Sequence, residues 1–93
     1  MKIILYSKPG CHLCEGLQEK LAEIQTLNVD LEVRDITSRT EWFEAFQYEI
    51  PVLFWVTEQN EEIAIPRPSP RASVAQLEHT LQKFLQGNRD LPT

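Results

Sequence analysis

Residues 2–14 read Lys2-Ile3-Ile4-Leu5-Tyr6-Ser7-Lys8-Pro9-Gly10-Cys11-His12-Leu13-Cys14, and this stretch decides the fold. Its first half is a short apolar run rich in β-branched residues, which reads as a buried strand. Ser7-Lys8-Pro9-Gly10 is a turn cluster that delivers the chain to Cys11. From His12 the pattern becomes helical, with Leu13, Leu17, Leu21 and Ile24 at the spacing of one apolar face and Glu15, Gln18, Glu19, Lys20 and Glu23 on the others. The spacing predicts a helix over 12–26 that ends by Asn28. Both cysteines of the chain therefore stand at the start of this helix, directly after a strand and a turn.

Downstream, Val29, Leu31 and Val33 alternate with Asp30, Glu32 and Arg34, the period of a half-covered strand. Ser38 or Thr40 is expected to cap a short second helix whose apolar face is Trp42, Phe43 and Phe46. Pro51 to Val56 reads as a strongly buried strand, and the turn Glu58-Gln59-Asn60-Glu61 joins it to Glu62–Ile65 as a hairpin. Pro66-Arg67-Pro68-Ser69-Pro70 is a stiff connector with few N–H donors. The last helix is expected from Ser73, with Gln76 completing a capping box, a core face of Val74, Leu77, Leu81, Phe84 and Leu85, and a stop at Gly87. The order is β-α-β-α-β-β-α: one α/β domain over residues 1–87, a four-stranded mixed sheet flanked by three helices, then a frayed tail at 88–93. Trp42, Phe43, Phe46, Phe54 and Trp55 all read as packing residues, not as a ligand platform.

Ninety-three residues suffice for one core, and 42% hydrophobic with 25% charged residues is ordinary for a globular chain. The net charge of −5 argues against a nucleic-acid partner. No apolar run approaches the ~20 residues that cross a bilayer, so no membrane association is expected. The apolar start is interrupted at Lys8 and Pro9, too early for a secretory leader, and the expected location is cytoplasmic. A monomer is expected.

A disulfide closing Cys11-His12-Leu13-Cys14 would staple almost nothing, so the pair must be reactive, metal-binding or accidental. Its placement favours reactivity. The first turn of a helix offers free N–H groups and the positive end of the dipole, which stabilise a thiolate. Cys11 is the expected nucleophile, and Cys14, one turn on, the thiol that resolves a mixed disulfide. Protonated His12 or the Lys8 ammonium would favour the thiolate further. A zinc site needs four ligands; His79 is distant and His12 lies inside the tetrapeptide, so no metal is expected on one chain. A cluster shared between two chains stays open.

The strand Ile3–Tyr6 with the turn and Cys-x-x-Cys resembles the opening of glutaredoxins and of small bacterial glutaredoxin-like proteins of thioredoxin fold. The likeness extends over the element order from residue 2 to about 86. Glu49-Ile50-Pro51-Val52 stands where that family carries a cis-proline loop; on position alone, a trans proline opening a strand would also be acceptable. The resemblance implies that Pro51 is cis and packs on the cysteine pair, and that the backbone of Ile50 pairs with an extended substrate or with glutathione. Lys8 matches the lysine that holds a glutathione carboxylate. Glutaredoxins follow the fourth strand with a Gly-Gly pair and an acidic residue, whereas Pro66-Arg67-Pro68-Ser69-Pro70-Arg71 stands here.

The function expected from these readings is thiol–disulfide oxidoreduction through Cys11 and Cys14, with Lys8, Ile50 and Pro51 presenting the substrate. No organic cofactor is required, and glutathione could serve as co-substrate. The partner would be a disulfide-containing protein or a mixed disulfide of glutathione. Two alternatives belong to other classes: a partner-binding module without turnover, and a carrier of metal or iron–sulfur cluster bridged between two chains.

Overall fold

The structure is a computed structural model and describes residues 1–89, with side-chain surroundings as far as residue 87. The elements are β1 (Lys2–Ser7), α1 (His12–Glu23), β2 (Asp30–Asp35), a 3-10 turn (Ile36–Ser38), α2 (Thr40–Phe46), β3 (Val52–Val56), β4 (Glu62–Ile65) and α3 (Val74–Arg89). The strands lie in the order β2-β1-β3-β4. β1 runs parallel to β2 and antiparallel to β3, and β3–β4 is an antiparallel hairpin. This is the expected α/β mixed sheet. Among the described residues no helix is long and apolar enough to cross a membrane.

Strand β1 occupies the middle of the sheet and buries Ile3, Ile4, Leu5 and Tyr6 in succession, which is why its sequence is apolar on both faces. One face carries Ile3, Leu5, Leu53 and Ile65 against Leu17, Leu21 and Ile24 of the α1 segment and Leu77 and Leu81 of α3. The other carries Ile4 and Tyr6 against Ile36, with Trp42, Phe46, Ile50, Val52, Phe54 and Val56 packed around them.

Helix α3 starts as its sequence implies. The Ser73 N–H donates to Gln76 Oε1 at 2.9 Å, and the Gln76 N–H donates to Ser73 Oγ at 3.1 Å, both bonds of a capping box. Its end differs: the helix continues through Gly87 to Arg89, so residues 88 and 89 belong to it and not to a tail. Asp90–Thr93 lie outside the described residues.

Several expectations are corrected. Helix α1 stops at Glu23, because Ile24 turns to extended backbone and buries its side chain in the core. Its inward stripe is Cys14, Leu17 and Leu21, while Leu13 is 51% exposed. Leu13, four residues before Leu17, stands at the margin of this stripe in the first turn, where Cys14 takes the inward position. Val33 is 42% exposed because β2 is an edge strand. Neither Ser38 nor Thr40 caps α2; Arg39 holds the N-cap position without a side-chain bond. Asp35 caps the preceding 3-10 turn instead, accepting from the Thr37 N–H at 2.8 Å and the Thr37 hydroxyl at 2.7 Å. Those bonds, the hydroxyl's first, hold the Asp35 carboxyl below the ordinary carboxylate range. Phe43 is exposed and not in the core. Pro51 lies in the loop ahead of β3 and not within the strand.

Candidate active site

Cys11 is the N-cap of α1, with extended backbone (φ −83°, ψ 100°). Its carbonyl accepts the first helical bond, from the Glu15 N–H at 3.0 Å, and its Sγ accepts the Cys14 N–H at 3.2 Å. The sulfur thus takes the place that a serine or aspartate oxygen holds at other helix starts. The turn before it is closed by the Cys11 N–H on the Lys8 carbonyl at 3.2 Å, with Gly10 at φ +83°, a conformation that favours glycine. Cys11 and Cys14 are joined as a disulfide across a Cα separation of 5.3 Å. The two sulfurs differ in access: Cys11 is half-buried, and Cys14 is 2% exposed.

Sheet register explains why a distant proline belongs to this site. Tyr6 pairs with Val52, so the loop entering β3 lies beside the loop leaving β1. The Ile50–Pro51 peptide bond is cis, and Pro51 is buried. The Ile50 N–H is already donated to the Phe46 carbonyl at 3.2 Å, which leaves its carbonyl as the group this backbone offers an extended ligand. Lys8 is exposed, and its ammonium takes no partner among the described residues. His12 points into solvent, with Nδ1 3.5 Å from the Glu15 carboxylate. Among the described residues no three His, Cys, Asp or Glu side chains gather as a metal site.

Leu53 pairs with Ile65, and that register brings the connector after β4 alongside Pro51 as well. Between this connector and α1 lies a cavity of about 180 Å³, which begins at His12, Leu13 and Pro51 and runs along α1 to Lys20. Lys20 closes its far end by donating from Nζ to the Pro70 carbonyl at 3.0 Å. Arg67 lines this cavity and also a second, shallower one on the Tyr48–Val52 side of Pro51. The sequence reading missed Gly16 and Lys20 as neighbours of the site. The only early signal was a glycine in mid-helix, since the cavity forms between segments far apart in the chain.

Just past the connector, N–H groups turn back onto Ser69 and into the start of α3. The Arg71 N–H goes to Ser69 Oγ at 3.2 Å and the Ala72 N–H to the Ser69 carbonyl at 3.0 Å. The capping box uses those of Ser73 and Gln76.

The family model of the glutaredoxin-like domain (DUF836) matches residues 2–82. The chain belongs to this family. Among solved structures, this glutaredoxin-like domain is similar to thioredoxin 1 from the thermophilic eubacterium Thermosipho africanus TCF52B. The TM-score is 0.62 and the identity 18%, over 97% of this chain and 100% of that one. It is also similar to the structural-genomics target protein XcR50 from X. campestris, with TM-score 0.57 and 22% identity over 87% of this chain and 96% of that one. At such identities the likeness speaks for the thioredoxin-like fold alone. No curated protein matches the chain.

Proposed function

We propose that this glutaredoxin-like domain is a dithiol reductase of protein disulfides. The observation that carries the reading is the inequality of the two sulfurs: Cys11 Sγ sits at the accessible helix start as acceptor of an N–H, and Cys14 is buried one turn on. In the reduced protein the Cys11 thiolate attacks a substrate sulfur, forming a mixed disulfide and releasing the other substrate sulfur as a thiolate. The Cys14 thiolate then attacks Cys11 Sγ, closes the Cys11–Cys14 disulfide and releases the second substrate thiol. Two electrons pass from the pair to the substrate, and a thiol reductant returns them. The Ile50 carbonyl, beside Pro51, is the group that would hold the substrate backbone, and Lys8 a cation beyond it. The reading places the work in the cytoplasm, on disulfide-containing proteins, with no cofactor beyond the reductant.

Two variants test this. Cys11→Ser is expected to abolish reductase turnover while keeping a hydroxyl cap on α1; retained turnover would sink the assignment. In Cys14→Ser the Cys11 thiolate is expected to titrate below neutrality, against about 8.5 for an unperturbed cysteine. A midpoint near that of free cysteine would remove the activation argument.

Glutathione is the weaker partner in this reading. The γ-glutamyl end would have to land on the connector and the start of α3, where Pro66, Pro68 and Pro70 carry no N–H and those of Arg71, Ala72, Ser73 and Gln76 are already used. Arg67 and Arg71 are exposed, and an exposed pair is worth about 0–1 kcal/mol, against about 0.5–1.5 kcal/mol for each backbone bond lost. Reduction of a glutathionylated peptide by Cys14→Ser is expected to be slow. Fast turnover that disappears in Arg67→Ala or Arg71→Ala would show the arginines rebuilding the site.

A further inference from the structure

We infer that the cavity between α1 and the proline connector is a specificity pocket for one large aliphatic side chain beside the reacting cysteine of a protein substrate, with Arg67 reading an acidic group next to it. The inference rests on the reductase reading and names the substrate class it leaves open.

Size is the first argument. A cavity of about 150 Å³ lined by apolar side chains holds a benzene, while whole small ligands occupy roughly 300–1,000 Å³. At about 180 Å³ this cavity suits one leucine- or methionine-sized group. Its walls match such a guest: Leu13 and Leu17 from α1, Pro68 and Pro70 from the connector, Leu77 from α3. Leu13, more than half exposed, flanks the mouth one residue before Cys14.

Gly16 is the second argument. A glycine within a helix costs up to about 1 kcal/mol relative to alanine. Here neither turn nor close packing asks for it: a Cβ built at position 16 meets nothing within 4 Å, and the backbone is ordinary helix. Gly16 faces the cavity, so the missing side chain leaves room for a guest instead of for another part of the fold.

Charge is the third. The chain carries −5, yet the cations at the cavity are Lys20 and Arg67. Lys20 is committed to the Pro70 carbonyl, which holds the connector on the helix. Arg67 takes no ion pair among the described residues and stands at the rim beside Pro51. An acidic residue next to the aliphatic one would meet it without displacing any existing contact.

The test uses the full chain and a set of peptides in which one cysteine is disulfide-linked to a small aliphatic thiol. Leu-Glu, Gly-Glu or Leu-Lys is placed at the positions flanking that cysteine, on either side. The symmetric disulfide of the same small thiol, which has no side chain to reach the cavity, serves as the reference. At one flank the wild type should reduce the Leu-Glu peptide about tenfold faster in kcat/KM than the Gly-Glu peptide. Gly16→Leu fills the cavity and should cancel that preference, with a melting temperature at or above wild type because leucine is the better helix former. Arg67→Glu should invert the Glu-over-Lys preference, a two- to threefold effect that shrinks with salt. Equal rates on Leu and Gly peptides at every flank, or a leucine preference that survives Gly16→Leu, overturn the pocket. Equal rates on Leu-Glu and Leu-Lys overturn the role of Arg67. Turnover of the reference disulfide in those cases leaves the reductase reading standing, whereas no turnover of any disulfide brings both down.

Discussion

The two faces of the sheet are built differently. The face under α1 and α3 is aliphatic and closed, with nine buried residues in one cluster. The face under α2 has three buried residues, and α2, seven residues long, buries none of its own. There the rings of Tyr6, Trp42, Phe46 and Phe54 stack edge-on or tilted at centroid distances of 4.5–6.0 Å. The Arg34 guanidinium lies over Tyr6 and Trp42, donates to the Tyr6 hydroxyl at 2.8 Å and pairs with Glu32 and Glu62. The candidate site draws on both faces: the cysteines ride on the helix of the closed one, and Ile50 packs on the open one. The helix that carries the paired sulfurs is thus held by aliphatic packing, while Ile50, next to the cis proline, packs on a face held by rings and an ion network.

The largest effect should separate the faces by stability. Leu81→Ala, at a fully buried position of the closed face, is expected to cost about 2–5 kcal/mol in denaturant unfolding. Phe46→Ala, at a half-buried ring of the open face, should cost about half as much. An equal or greater loss at Phe46 would break the comparison.

A smaller effect comes from Arg34. Arg34→Met keeps the stem and removes the charge, and should cost about 1–2 kcal/mol through the lost hydrogen bonds to Tyr6 and Glu32. Burial by itself would lower the pKa of Arg34, and its bonds to Glu32 and Tyr6 reverse this and raise it. A neutral or stabilising Arg34→Met would mean that desolvation offsets everything the network contributes. Fluorescence resolves which face responds, since Trp42 packs on the open face and Trp55 on the closed one, edge-on to Phe84. Trp42 emission should shift in Arg34→Met and Trp55 emission should not.

The smallest effect is an acid limb confined to the open face. The Arg34 hydrogen bond first, then the charges of Arg34 and Lys2, hold the Glu32 carboxyl below the ordinary range, and Thr37 does so for Asp35. A lowered folded value adds stability that is complete above the unfolded value of about 4 and is lost as pH falls through the folded one. Below about pH 4 the Trp42 signal of Trp55→Phe should therefore change before the Trp55 signal of Trp42→Phe. Coincident transitions would show that the two faces respond to protonation as one unit.

Much of this was legible in the chain. Alternation, helical spacing and the Ser73–Gln76 pair placed the four strands and three α-helices, because each is written in neighbouring residues, but not the 3-10 turn Ile36–Ser38. The phase of α1 was misread because cysteine is itself a small buried hydrophobe: with Cys14 in the stripe, Leu13 falls at its margin. The caps of α2 were misread because Asp35, Ser38 and Thr40 are all competent caps, and only the tertiary path selects among them. The Cys11–Cys14 pair and the proline of the cis bond could be marked from sequence. The Arg34–Glu62 contact and the cavity beside Gly16 could not, since strand register creates both.

The sheet order leaves β2 and β4 as the two margins, and each is unsuited to recruiting a strand from another molecule. On β2, Asp30, Glu32, Arg34 and Asp35 put charge on four of six positions. β4 is four residues long and is followed at once by Pro66, which has no N–H to give. Unpaired strand margins are the usual templates for aggregation, and charge, shortness and proline are the usual defences. If the chain exchanges disulfides with other proteins as proposed, neither margin of the described sheet gives such transient adducts a strand edge on which to become permanent.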